Sequence, residues 1–269
     1  QIDFIPGRPI EVRRHKRIKI LKKTGIEEQA DIDIPYYNSE GMERVFDVEA
    51  QTIKLGSDGK ISIVKVEKDK IFEVDYKENW KTKRFSFPVV EEGSIIEYSY
   101  KFQSKYYLSP EEWKFQCEIP TIHSEYYARI ESNLDVRYFL VGRQLGNVYG
   151  GKPANHFILE YLNAIKEEPY CPNPQDYVER VFFQLAGYDT YEVGKGVERV
   201  VTMTSWEKMA VELMDNDAFS GYLRKKGAAR EFLENNIPVL DGLNNREKIA
   251  AIHKLVSNYF SWDGKYTLN

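Results

Sequence analysis

The chain has 269 residues, with 38 Lys and Arg against 42 Asp and Glu for a net charge of -4, a balance that excludes a general nucleic-acid binder, which carries a basic excess. A mean hydropathy of -0.54, with no run near the roughly 18 apolar residues a bilayer requires, excludes a membrane-spanning helix. With 42% hydrophobic and 14% aromatic residues it is not a disordered chain, and two Cys and four His give neither a disulfide scaffold nor a promising metal inventory.

The first strand signal is the basic run Arg13-Arg14-His15-Lys16-Arg17, continued by Lys19, Lys22 and Lys23. It is read as a first strand around Arg17 to Leu21 whose cations discourage edge-to-edge pairing, in preference to a polyanion contact. Val48 to Leu55, the turn Ser57-Asp58-Gly59 and the run Ile61, Ile63, Val66 form a hairpin pattern. Phe85 and Phe87 alternate up to Pro88, and Glu92-Gly93 turns the chain into a strand with Ile96, Tyr98, Tyr100 and Phe102 on one side. Trp113, Phe115, Cys117 and Ile119 alternate in the same way, and further strands are expected at Tyr126 to Ile130, Val136 to Val141 and His156 to Leu162.

Three prolines between Glu168 and Pro174 predict an extended loop, followed by one returning strand at Tyr177 to Leu185. From Thr204 the period changes to that of a helix. Thr204-Ser205-Trp206-Glu207 has the form of a capping box, and Trp206, Met209, Ala210, Leu213 and Met214 fall on one face. A second helix is expected from Asp217 to about Leu233, weakened by Gly227. A third is capped by Asn244, with Ile249, Ile252, Val256 and Tyr259 as its stripe. The expected class is mainly β: an antiparallel β-sandwich over residues 1–203, carrying the proline loop 168–174, then a helical segment over 204–269. The start at Gln1 and the stop at Asn269 lead to the expectation of a fragment of a longer protein, its leader removed.

Chemistry-bearing residues are sparse. Cys117 is read as a core residue on the apolar side of its strand, and Cys171 as a more exposed loop residue; a disulfide between them is the lesser alternative. His15, His123, His156 and His253 show no metal-ligand spacing, with His123 expected in a loop and His253 packed beside a helix stripe. Gly150-Gly151-Lys152-Pro153 and Gly194-Lys195-Gly196 are turns, not phosphate loops. No catalytic, metal or cofactor residue is assigned. The candidate ligand-contact residues are the aromatics Trp80, Tyr106, Tyr107, Tyr126 and Tyr127, near expected turns, with core filling as the competing explanation.

The run from Arg84 to Tyr100, with Pro88 and Gly93, resembles the hallmark of a bacterial domain of unknown function that precedes a transglutaminase-like domain in exported proteins. Trp113-Lys114-Phe115-Gln116, Glu168-Pro169-Tyr170, Phe182-Phe183-Gln184-Leu185 and Ser205-Trp206-Glu207 extend the likeness, and Trp262-Asp263-Gly264 is similar to the opening of the transglutaminase-like core. The resemblance implies that the family's catalytic Cys, His and Asp follow Asn269. It also implies a periplasmic or cell-surface parent and a non-catalytic accessory role, the downstream core being the partner. The alternative is a β module that binds a glycan or peptide.

Overall fold

Alternating apolar and polar residues run through most of the first 203 positions, and the computed structural model gathers them into three sheets. It describes residues 1–4, 8–106, 110–150, 154–166, 169–192, 194, 196–224, 226–236, 240–259 and 261. In chain order the elements are β1 (Ile2–Phe4), β2 (Ile10–Lys19), α1 (Thr24–Gln29), β3 (Asp31–Tyr37), β4 (Glu43–Leu55), β5 (Ile61–Lys65), β6 (Phe72–Lys77) and β7 (Trp80–Ser86). They continue with β8 (Ile95–Ser104), β9 (Trp113–Lys114), β10 (Thr121–Ile130), β11 (Leu134–Val141), α2 (Arg143–Tyr149), β12 (His156–Leu162), β13 (Arg180–Glu192) and β14 (Gly196–Val201). Helical segments follow among the described residues: α3 (Trp206–Asp215), α4 (Asp217–Arg224), α5 (Lys226–Asn236) and α6 (Asn245–Tyr259). The chain divides into two compact units, Gln1–Met203 and Thr204–Asn269.

In the first unit a seven-stranded sheet has the order β12-β10-β1-β2-β8-β4-β5. Its pairs are antiparallel except β1 with β10. A four-stranded sheet joins β11, β13 and β14, with β9 also on β13, and a three-stranded sheet has the order β3-β7-β6. Both small sheets pack on one face of the large one. Ile10 and Val12 of β2 join Phe157 and Leu159 of β12 and Val181 and Phe183 of β13 in one core. Ile18, Ile96, Val45 and Ala50 join Ile34, Tyr36 and Phe85 in the other. Even-numbered residues of β2 therefore face inward along the whole strand, and this two-layer, mainly β, antiparallel-dominated architecture is the expected class.

Several local expectations are corrected. The basic run lies on β2, which pairs with β8 from Ile10 to Lys19 but with β1 only at Glu11 and Val12; its cations border that shorter-paired side and also pair with carboxylates across the sheet, Arg17 and His15 with Glu97. The strand expected from Trp113 to Ile119 stops at Lys114. Beyond it the backbone is satisfied singly, Phe115 N–H donating to the Glu179 carbonyl and Ile165 N–H to that of Cys117. His123 stands on β10, not in a loop, and His253 is exposed. The helix expected after Asp217 is helical over Asp217–Arg224 and Lys226–Asn236, with residue 225 outside the described residues.

The second unit shows how capping chemistry sets helix starts. Ser205, not Thr204, is the N-cap of α3, its hydroxyl accepting from Lys208 N–H. Asn244 Oδ1 accepts from the N–H groups of Arg246 and Glu247 while Glu247 Oε2 accepts from Asn244 N–H, a reciprocal capping box that starts α6. Phe232 of α5 and Tyr259 of α6 meet edge to face at 4.9 Å. Neither α3 nor α6 has a buried residue.

Candidate functional site

Between the two cores the inner row of β2 carries not apolar residues but Arg14 and Lys16, paired across to Tyr100 and Tyr98 of β8. The Arg14 guanidinium lies 5.7 Å from the centre of the Trp113 ring and pairs with Glu111. Trp113 in turn packs on Tyr126 at 5.4 Å and donates from its indole N–H to Ser124 Oγ at 3.3 Å. Burial opposes the charge on Arg14, but Tyr100 and Glu111 outweigh it and raise its pKa; burial also drives the Tyr126 hydroxyl upward. Arg14 Nε and the Tyr126 hydroxyl are buried without a hydrogen-bond partner. This cluster packs a paired cation into the seam between the two cores.

Beside it, a cleft of about 260 Å³ is lined by Lys16, Lys114, Gln116, Cys117 and Ile119 among others. Cys117 Sγ lies 3.5 Å from the Ile119 carbonyl and 3.9 Å from Thr121 Oγ1. It is half-buried and not a core residue, which corrects the expectation; both cysteines are free thiols. A nucleophilic thiol needs a base in reach, and among the described residues neither cysteine is hydrogen-bonded to a histidine. His123 and His156 instead flank Glu125 on the outer face of β10 and β12, at 3.4 and 2.7 Å, with Glu160 on the far side of His123. Their hydrogen bonds hold the Glu125 carboxyl below its usual range. No group of three or more His, Cys, Asp or Glu among the described residues is placed to hold a metal ion.

The outer face of the large sheet carries a second polar centre. Glu97 Oε1 receives His15 Nε2 at 2.8 Å and Arg17 Nη2 at 2.5 Å, and Oε2 receives Gln51 Nε2 at 2.7 Å. Burial alone would raise this carboxyl, but the bonds from Arg17, Gln51 and His15 prevail and bring it to about 2. A carboxyl lowered by folding stabilises fully above its unfolded value near 4.5, and that stabilisation is lost as pH falls toward 2. With solvent screening it amounts to about 1–2 kcal/mol. Glu97→Gln should therefore lower the urea midpoint at pH 7, and its difference from the parent chain should shrink as pH falls below 4.5 and vanish only below about pH 2.

The candidate aromatics do not converge. Tyr126 is 2% exposed and stacks on Phe183, so it is a core ring and not a ligand contact. Tyr106 is 44% exposed at the end of β8, and Tyr127 is 38% exposed with its ring edge-on to His156. Tyr107, Trp262 and Gly264 lie outside the described residues. Of the motif residues, Pro88 accepts at its carbonyl from Thr52 Oγ1 at 2.8 Å. Gly93, at φ 91°, makes the turn whose N–H reaches the Ile20 carbonyl. Trp113 lies in the seam, and Trp206 opens α3 at 80% exposure.

Trp80 is different, because the fold surrounds it with rings that sequence reading did not single out. It stands at the start of β7, cross-paired with Tyr37 of β3 and Lys77 of β6. The Tyr37 and Trp80 rings meet edge to face at 5.6 Å, and the Lys77 ammonium sits 4.9 Å from the Trp80 ring centre. Phe72, Val74 and Tyr76 extend the patch along β6. Their period-two spacing is the signal that could have found them, but β6 was not recognised as a strand.

Fold and surface together define a mainly β protein with antiparallel sheets and a helical C-terminal part. The model of the family described as a Domain of Unknown Function with solved-structure structure, DUF3857, matches residues 9–154, and the chain belongs to that family. A crystal structure described as a "putative protease" from Parabacteroides distasonis ATCC 8503 is similar, with a TM-score of 0.59 at 15% identity. The match covers 97% of this chain and 49% of that one, so the chain spans about half the length of that protein. At this identity the likeness is one of fold. No curated protein matches the chain.

Proposed function

We propose that this chain is the non-catalytic accessory region of a longer, exported protein whose remaining part is a transglutaminase-like core of the cysteine peptidase or acyltransferase type. The parent is then periplasmic or at the cell surface. The observation that carries the reading is the state of the helices. Trp206, Val211 and Ile249 are 80%, 61% and 70% exposed, and the Met209, Leu213 and Val256 positions are at least 40% exposed on the same helices. Apolar stripes of this size ask for a covering layer. The similar chain from Parabacteroides distasonis has twice the length in which to supply one.

Hydrogen exchange tests this directly. The amides of α3 and α6 should exchange quickly in the present chain and slow by at least tenfold when the segment encoded after Asn269 is included. Equal exchange in both proteins would overturn the accessory reading.

A further inference from the structure

We propose that the outer face of the β3-β7-β6 sheet is a binding platform for a carboxylated glycan, a reading independent of the accessory role. Pairing register puts residues that face one another on the same side of a sheet. On this sheet Ile32 pairs with Phe85, whose ring is in the core, so the next rows alternate outward. The outward rows are Asp33, Arg84 and Phe72, then Pro35, Thr82 and Val74, and finally Tyr37, Trp80 and Lys77. Tyr76 sits in the irregularity between Asp75 and Lys77.

Large rings on an outward sheet face mark an interaction surface when they are exposed together. Phe72 is 54%, Val74 38% and Tyr76 64% exposed, and Trp80 is half-buried beside them. Lys77 holds its ammonium 4.9 Å from the Trp80 ring centre and 5.9 Å from that of Tyr76. Unlike Lys81 and Lys83, which are paired with Glu73, and Arg84, which is paired with Asp33, it has no ion-pair partner among the described residues. Thr82, in the middle row, is 2% exposed and its hydroxyl also lacks a partner.

These features select the ligand. Exposed aromatic rings on the outward face of a sheet give a sugar ring an apolar surface to lie on, whereas an added peptide strand is held by main-chain bonds at a sheet edge and not on its face. The unpaired ammonium over two rings adds an attraction for a carboxylate, which favours a uronic-acid polymer over a neutral one. The net charge of -4 works against a merely electrostatic affinity for polyanions, so binding must come from the platform.

Affinity electrophoresis of the whole chain in gels containing sodium alginate, dextran or poly-L-glutamate tests the assignment. Alginate should retard the chain most. Tyr76→Ala, at an exposed position, should weaken the retardation by about tenfold. Lys77→Ala should level alginate with dextran, and circular dichroism should show both variants folded. Equal mobility in alginate and plain gels would overturn the proposal, as would unchanged retardation of Tyr76→Ala. Retardation by poly-L-glutamate equal to that by alginate would overturn it in favour of an acidic-peptide site.

Discussion

Phe157→Ala should lower the stability of the strand-rich unit by about 3–5 kcal/mol. The ring is fully buried. It meets Tyr138 of β11 at 5.2 Å, Tyr149 of α2 at 5.0 Å and Phe183 of β13 at 6.2 Å. One side chain of the outermost strand of the large sheet thus joins the four-stranded sheet and a helix. Truncation leaves a void bordered by three aromatic rings, which cannot close over it without leaving their rotamers. Urea unfolding followed by circular dichroism is the measurement. Ile122→Ser, on β10 at 73% exposure, should change stability by less than about 0.5 kcal/mol. A loss below about 1 kcal/mol for Phe157→Ala would mean that the two layers do not pack through this ring.

Glu179→Ala should cost about 3 kcal/mol through the backbone it serves. Glu179 is 6% exposed, and its two carboxylate oxygens accept from the N–H groups of Gln144 and Leu145, each at 2.9 Å. Those are first-turn donors of α2, whose own N-cap, Gly142, has no side chain to cap them. Removing the carboxylate strands both donors beside buried Leu145. Glu179→Gln keeps one acceptor and should cost less, about 1–2 kcal/mol. Gly142 sits at φ 111°, and a Cβ there would press into the Glu179 carboxylate. Gly142→Ala should therefore also cost about 2 kcal/mol or more. Because the two sites share one contact, the double variant should lose less than the sum. Full additivity would show that the glycine and the carboxylate act separately.

The structural seam between the cores and the ring platform were not equally legible beforehand. Local rules carried far wherever a residue's fate depends on its neighbours in sequence. The alternation Ile96, Tyr98, Tyr100, Phe102 named the inner face of β8, Asp58-Gly59 located the hairpin of β4 and β5, and the bounds of β12 followed from His156 to Leu162. The change of period after Thr204 found the helices, because amphipathic spacing and side-chain caps act within a few residues.

What failed locally was decided by partners far along the chain. Trp113 to Ile119 alternates like a strand, yet only Trp113 and Lys114 find one to pair with, on β13. The partners of the β2 cations, Glu97 and Glu111, come to meet them from some 80 to 97 positions away. Tyr126 and Trp80 are indistinguishable as aromatic residues near turns. One is covered by a second sheet and the other is left facing outward. Composition and periodicity by themselves determined the mainly β class and the helical end. Which rings are buried, which charges are paired and which strand lies inside the sheet was decided by tertiary structure alone, because each depends on desolvation by elements that no local pattern can bring together.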